Sequence, residues 1–516
     1  MDTRSKARRL GGASAVVSAV LVCAAVPAYA DADADAARVK VLLKQLRNSR
    51  TKDAAVAELA KMGTPAVEGI VAAVLDKSTG LYATQAQALL VAMGPGAIKD
   101  IIPLLTRREA SIRKLALKTL GDFGPAAEPA VSKLVKILDA PDPTAQMGLR
   151  RYAAAALGSI GPAAAPGVHA LAQSLEDRED FHGFLRMACV LALGKIGPAA
   201  KDAAVDLAKV LANDRYKAEC RQAAARALGL IGQPPETVVP ALRLALQENP
   251  NTLIAREAVV ALGKAGPAAK DAVPDILAGL DTKAVGYRGL QALAAIGPGA
   301  KEAIGELIKR LADKNVPNRK YAAEALGRIG PEAKEAIPAL VKAFRPLEDT
   351  DPFRVAIVVA IARLEGYPSR AVPFLKKCIT SSTAEVSSAA FKALGELGEN
   401  SRGAVPALVV MTEQSDRRPG GKPWQAIEAL GNMGSVAKPA LPYLIKIIQA
   451  REKPPRRSEK PIRLPAIEAI AKIAPTDRTV LAALKVAAES DPDPDAQRLA
   501  IRTLARVKAE AKPGSE

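Results

Sequence analysis

The chain has 516 residues, of which 49% are hydrophobic but only 3% are aromatic, and its formal net charge is +19. This length excludes a single globular core, because hydrophobic cores stop growing beyond about 250–300 residues. The basic surplus favours acidic partners, and the scarcity of aromatic side chains disfavours nucleic acid binding by base stacking.

Residues 1–30 have the pattern of an export signal. An apolar stretch over 13–26 follows a basic start, and Ala28 and Ala30 supply a small-x-small cleavage site. The basic residues of the start are Arg4, Lys6, Arg8 and Arg9. The apolar stretch is too short to span a bilayer, so we expect cleavage before Asp31 and a periplasmic or extracellular location. The sequence leaves open whether ordinary secretion or the twin-arginine route exports the chain.

Residues 38–507 are built from one repeated unit, which lies between an acidic leader over 31–37 and a tail over 508–516. We expect the leader to be flexible and the tail to be disordered. The unit is clearest over 321–340, where apolar residues at three- and four-residue spacing lead to Gly330. That spacing is typical of one helix face, and glycine followed by proline ends a helix. A second apolar pattern follows, so each unit is predicted to be a helix–turn–helix.

Counting the turn residues gives 13 units with a mean period of (474 − 63)/12, about 34 residues. They are Gly63, Gly94, Gly124, Gly161, Gly197, Gly232, Gly266, Gly297, Gly330, Gly366, Gly398 and Gly434, with Ala474 last. Because each unit packs only on its neighbours, we expect an all-α solenoid without a domain break. A second glycine recurs three residues before the turn, as at Gly229 and Gly327, and we expect a neighbouring helix to approach closely there.

The consensus A-x-A-L-G-x-I-G-P-x-A, followed by A-V/I-P-x-L, resembles the short HEAT-type repeat of the bilin-lyase-like family, also called PBS lyase HEAT-like. The resemblance covers residues 39–509 and implies a right-handed α-solenoid of about 13 repeats. The family contains lyases as well as many interaction proteins. The resemblance therefore implies a scaffold. As an alternative, it implies a bilin lyase-like enzyme or a chaperone for a tetrapyrrole protein.

The residues that most often carry catalysis or bind metals are few. The two histidines, His169 and His182, have no second ligand at metal-binding spacing. Cys189 is at a register where other repeats carry alanine, which predicts a small core residue, and a bridge to Cys220 remains open. We therefore expect no catalytic site, no cofactor and no metal.

The candidate partner-binding residues are basic or aromatic. Five lysines stand twelve residues after a turn glycine, on the second helices, which line the concave face of HEAT-like solenoids. They are Lys136, Lys209, Lys309, Lys342 and Lys446. An alternative is that these are ordinary solvated lysines. Arg456 and Arg457 lie in a basic segment over 451–463, and Trp424, the single tryptophan, is either an interface residue or a packed one.

A further set of arginines near the starts of first helices predicts an ion-pair ladder with loop aspartates. They are Arg113, Arg150, Arg186, Arg221 and Arg319. Taken together, the sequence favours an exported, non-catalytic scaffold or adaptor that binds another polypeptide, with a preference for acidic partners. Nucleic acid is an improbable partner, while binding of an anionic polymer is the remaining alternative.

Overall fold

The computed structural model describes most of the chain. The described residues are 32–46, 50–76, 79–140, 147–176, 183–344, 352–364, 368–381, 383–413, 423–450 and 462–510. Within them every regular element is helical and there is no strand. The predicted export signal, Asp31 and residues 511–516 lie outside the described residues. The sequence predicts no domain break, but the chain divides into two compact units, one ending at Gly167 and one beginning at Val168.

The first unit contains α1 to α8. These helices are α1 (Ala32–Gln45), α2 (Lys52–Met62), α3 (Thr64–Leu75), α4 (Ala83–Ala92), α5 (Ile98–Ile101), α6 (Ala110–Phe123), α7 (Val131–Leu138) and α8 (Met147–Ile160). The expected flexible leader is wrong for residues 32–37, which form the start of α1. Alanine is the strongest helix former, and Asp33 and Asp35 in the first turn complement the helix dipole.

The second unit contains α9 to α28. Its first part has α9 (Val168–Gln173), α10 (Phe184–Ile196), α11 (Ala204–Ala212), α12 (Ala218–Ile231), α13 (Pro235–Glu248), α14 (Leu253–Ala265), α15 (Val273–Gly279), α16 (Gly286–Ile296), α17 (Ile304–Arg310), α18 (Val316–Ile329) and α19 (Ile337–Phe344). Its second part has α20 (Pro352–Arg363), α21 (Pro368–Cys378), α22 (Ala384–Glu396), α23 (Val405–Glu413), α24 (Pro423–Met433), α25 (Leu441–Gln449), α26 (Arg463–Ile473), α27 (Arg478–Ser490) and α28 (Pro494–Glu510). The last helix includes the first three residues of the predicted tail.

The repeat around Gly330 shows how one unit is built. Its first helix, α18, ends at Ile329, and Gly330 has φ +80° and ψ −147°. This is a conformation that a residue with a Cβ rarely adopts. A 3-10 segment over Gly330–Ala336, kinked at Ala333 (φ −95°, ψ 18°), then leads into the second helix, α19. The predicted helix pair is confirmed, and the turn glycines within the described residues all have positive φ. Gly366 lies outside the described residues.

Both helices of a repeat contribute to the core, and each second helix also packs against the first helix of the next repeat, as α11 does against α12 and α13 against α14. In the repeat around Gly330, Leu326 and Ile329 of the first helix and Ile337 and Leu340 of the second are all at most 1% exposed. Each such side chain contributes about 1.5–3 kcal/mol when fully buried. Ala333, in the 3-10 turn, is also fully buried. The small turn residue lets the two helices close over the core.

The glycine three residues before the turn marks the contact between first helices of neighbouring repeats. A Cβ on Gly229 of α12 would lie 2.8 Å from the Cα of Ala261 on α14, and one on Gly327 would lie 2.7 Å from the Cα of Ala360. Real Cβ atoms do not approach a backbone atom so closely. The predicted close approach of a neighbouring helix is therefore confirmed.

Candidate partner-binding surfaces

Five successive second helices of the second unit, α11, α13, α15, α17 and α19, carry exposed residues at the same two positions of the repeat. Helix α13 packs against both α11 and α15. We define the second-helix ridge as the residues eight and twelve positions after the turn glycines 197 to 330. At position eight they are Val205, Pro240, Pro274, Gly305 and Pro338, and at position twelve Lys209, Leu244, Ala278, Lys309 and Lys342; all ten are exposed.

At position twelve the ridge carries Lys209 on its first helix, Leu244 and Ala278 on the next two, and Lys309 and Lys342 on the last two. None of the five residues at position eight carries a charge. Val205 is 52% exposed and Leu244 is 50% exposed. Large apolar side chains on adjacent helices form a patch of the kind that marks protein interaction sites. The sequence analysis missed this patch because, in a chain so rich in apolar residues, pattern alone does not separate an exposed valine or leucine from a core one.

The predicted lysines are all exposed on second helices. Lys136 lies on α7 of the first unit, while the other four lie on α11, α17, α19 and α25 of the second. The Nζ of Lys209 is 2.8 Å from Asp206 Oδ1, and this hydrogen bond raises the pKa of Lys209. Similarly, the Nζ of Lys309 is 3.3 Å from Glu306 Oε2. Pairs between exposed side chains are weak, so both lysines remain accessible to an acidic partner.

The remaining three lysines have no carboxylate neighbour of this kind. Within the described part of the chain, Lys136, Lys342 and Lys446 form no ion pair. They are exposed on α7, α19 and α25. The structure therefore places the lysines on one type of helix, but in two separate units and with different local charge.

Charged side chains just beside the ridge form hydrogen bonds and ion pairs with side chains of neighbouring repeats. Asp275 of α15 accepts hydrogen bonds from Arg243 Nε at 2.6 Å and from Gln247 Nε2 at 2.6 Å, both on α13. Arg310 of α17 pairs with Asp281 at 2.6 Å across the next connection. These contacts join α13 to α15 and join α17 to the connection that follows α15.

Four of the arginines near the starts of first helices donate hydrogen bonds to backbone carbonyls, a contact that the sequence did not predict. The Nε atoms of Arg150, Arg186 and Arg221 donate to the backbone carbonyls of Leu138, Leu175 and Leu211, at 2.7, 2.7 and 2.6 Å. Arg319 donates to the carbonyl of Asp313 at 3.5 Å. The acceptors recorded within the described residues are thus mainly carbonyls at or just beyond the ends of second helices, while the predicted pairing with loop aspartates stays a prediction.

Trp424 lies on the first helix α24, half-buried, where it lines a pocket of about 370 Å³ against α26. The other lining residues are Glu428, Gly431, Leu464, Pro465, Glu468, Ala469 and Lys472. This pocket is on first helices and is therefore separate from the second-helix ridge. The structure does not bring Trp424 together with the five lysines. Arg456 and Arg457 lie outside the described residues.

Groups that could act in catalysis are buried or dispersed. Cys189, Cys220 and Cys378 are all buried, and burial raises the pKa of the Cys378 thiol to about 12. A thiol with such a pKa is a poor nucleophile at neutral pH. His169 is exposed, with its Nε2 2.9 Å from Gln173 Nε2, and His182 is outside the described residues. Among the residues that the structure describes, no three His, Cys, Asp or Glu side chains converge to hold a metal ion.

Within the described residues, no single helix is both long and apolar enough to cross a bilayer. The pair Ala83–Ala92 and Pro95–Thr106 meets the requirement of length and composition together, with a bend of 112° between them.

Family models match three parts of the chain. The model described as HEAT repeats matches residues 131–229, and the model described as PBS lyase HEAT-like repeat matches residues 221–248 and 319–345. No curated protein matches the chain in sequence.

The solved structures similar to this chain share little sequence with it. The crystal structure of Kap121p bound to Nup53p is 11% identical with a TM-score of 0.48, over 91% of this chain and 60% of that one. Kap121p bound to Pho4p is 12% identical with a TM-score of 0.47, over 89% of this chain and 56% of that one. The chain thus spans less than two thirds of the length of these Kap121p chains. An engineered protein is 20% identical with a TM-score of 0.27, over 91% and 99% of the two chains.

In the matched parts the structure shows paired helices joined at a turn glycine, as at Gly232 between α12 and α13. The chain thus contains HEAT repeats, and its residues 221–248 and 319–345 match the PBS lyase HEAT-like repeat.

Proposed function

We propose that this protein is a non-catalytic scaffold or adaptor that binds another polypeptide along the second-helix ridge. The observation that carries the proposal is the exposed apolar surface formed by Val205 on α11 and Leu244 on α13, with Lys209 beside Val205 on α11 and Lys309 and Lys342 on the last two helices of the ridge. The ridge extends over five successive second helices. An extended surface of this kind suits a polypeptide better than a small molecule.

The apolar surface supplies affinity in this proposal. Burying apolar surface contributes about 25 cal/mol per Å², and Leu244 exposes half of its surface on the ridge. The prolines at position eight add rigid apolar surface, which loses no side-chain rotamer entropy when a partner covers it.

The lysines supply selectivity for acidic partners. A carboxylate of the partner could replace the weak local pairs of Lys209 and Lys309 with Asp206 and Glu306, and could bind Lys342 directly. Interactions between exposed charges are screened by salt, with a Debye length of about 8 Å at physiological ionic strength. The acidic preference should therefore weaken as salt rises, while the apolar part of the affinity persists.

We also propose that the protein is exported, with residues 1–30 as its signal. The support is the basic, apolar and small-x-small order of these residues. A partner would then be a protein of the same compartment.

The test uses the full chain as bait in an envelope extract, followed by calorimetry with the purified captured protein. We expect Leu244→Asp to weaken binding at least tenfold, as loss of a central apolar contact commonly does. The control is Leu191→Asp, because Leu191 is 45% exposed but lies on a first helix, α10. Far-ultraviolet circular dichroism checks that both variants keep their helicity.

The charge contribution is tested on the same purified pair of proteins. Lys309→Glu combined with Lys342→Glu should weaken binding at low salt and have little effect at high salt. If Leu244→Asp binds as tightly as the unchanged chain, or if Leu191→Asp is equally damaging, the second-helix ridge is not the binding surface. A set of unrelated acidic proteins that all dissociate at high salt would instead indicate an anionic-polymer binder.

A further inference from the structure

The pocket between α24 and α26 has a chemical character different from that of the ridge. Trp424, Leu464 and Pro465 form an apolar wall, and two carboxylates, from Glu428 and Glu468, line the same space. Both glutamates are exposed. The pocket is thus open to solvent, with an aromatic ring and two negative charges on its surface.

The two glutamates occupy the same register in neighbouring repeats. Glu428 stands six residues before Gly434, and Glu468 stands six residues before Ala474. Neither forms an ion pair or hydrogen bond with another residue in the described part of the chain. At this register other repeats carry a single acidic residue, a basic one or an uncharged one, such as Glu324, Arg226 or Leu191. Two carboxylates on packed neighbouring helices repel each other, and a cation between them relieves that repulsion.

Among the described residues that line the pocket, one side chain is basic, that of Lys472. Its Nζ donates to the side-chain oxygen of Asn432, outside the lining, at 2.9 Å. With two glutamates and one lysine, the described lining carries a formal charge of −2 + 1 = −1. The site is therefore suited to a positive group and not to an anion.

We propose that this pocket binds an arginine side chain of a partner polypeptide. A guanidinium is planar, stacks on aromatic faces and carries five N–H donors, so it can contact the indole of Trp424 and donate to both glutamates at once. The volume of about 370 Å³ is at the small end of ligand pockets, which suits one side chain. The site lies on first helices and does not depend on the second-helix ridge.

The single tryptophan of the chain makes the proposal directly measurable. Because Trp424 is the only tryptophan, the tryptophan fluorescence and the indole N–H resonance of the full chain report on this pocket alone. The probe is N-acetyl-argininamide, and the uncharged comparison is N-acetyl-glutaminamide. We expect a saturable change in both signals with the arginine probe and none with the glutamine probe.

Three variants decide whether the carboxylates hold the probe. Glu428→Gln and Glu468→Gln should each weaken binding roughly tenfold, because each removes a charge-assisted hydrogen bond. Glu324→Gln is the matched control, since it alters the same register of another repeat, where Glu324 pairs with Lys320 at 3.8 Å. It should leave the titration unchanged.

The outcomes separate this proposal from the proposed function. Leu244→Asp should leave the arginine titration unchanged. This test therefore does not depend on whether the second-helix ridge binds a partner. The absence of a saturable change in both signals would overturn the arginine site. So would an equal response to the glutamine probe, or full binding by both glutamate variants. A response to a lysine probe as strong as that to arginine would replace the proposal with a general cation site.

Discussion

At the scale of single residues, the glycines before each turn are the positions where the sequence was most informative. Their register was visible because the same steric demand recurs in every repeat. The alanine that each one meets, such as Ala261 opposite Gly229, was not predicted, because it belongs to the next repeat and alanine is common throughout the chain.

We expect Gly229→Ala to destabilise the protein. Overpacking of this kind costs about 1–3 kcal/mol, and the gain in helix propensity of about 1 kcal/mol offsets only part of it. The control is Gly305→Ala in α17, where an added Cβ would meet nothing within 4 Å. That change should stabilise the protein by up to about 1 kcal/mol. Urea unfolding followed by circular dichroism would measure both changes in stability. The same sign for the two variants would contradict a tight contact between α12 and α14 at Gly229.

At the scale of the elements, the helix pair and its turn followed from spacing and from glycine and proline. The seven-residue 3-10 segment did not, because the residues that follow its glycine and proline, such as Ala333 and Lys334, are also good α-helix formers. The acceptors of the first-helix arginines were missed for a related reason: a backbone carbonyl leaves no signature in the sequence, whereas an aspartate does.

We expect Arg221→Gln to destabilise the protein by about 1–3 kcal/mol, because it leaves the carbonyl of Leu211 without its donor. It also removes the 2.5 Å pair with Glu248. Arg221→Lys should rescue little, since an ammonium cannot serve both acceptors as the planar guanidinium does. The comparison is Lys392→Gln on the first helix α22, whose exposed pair with Glu396 is 3.7 Å long. That change should cost less than about 0.5 kcal/mol.

Unfolding midpoints of the three variants, at equal protein concentration, provide the measurement. An Arg221→Gln variant as stable as the unchanged chain would mean that water serves the Leu211 carbonyl equally well, and that the contact orders the connection without stabilising it.

At the scale of the whole molecule, the repeat architecture could be predicted because its contacts are between neighbours in sequence. The apolar part of the second-helix ridge could not be predicted, because it depends on which apolar residues remain exposed in the folded chain. Leu244 and the buried Leu242 are two positions apart on α13, and only the structure separates them. A clue was nevertheless present: no charged residue occurs eight positions after the turn glycine in five consecutive repeats.

Export concerns the whole chain, and its expected consequence is a mature protein that begins at Asp31. Cleavage there would leave α1, which starts at Ala32, intact. We therefore expect expression in a secreting host to yield a protein in the envelope or medium whose N-terminal sequence reads Asp31, Ala32, Asp33. Ala30→Phe should block processing, because the signal peptidase site requires a small residue. N-terminal sequencing and fractionation of both forms would decide the matter. An unchanged chain that keeps Met1 in the soluble cytosolic fraction would contradict export, and the search for a partner would then move to the cytosol.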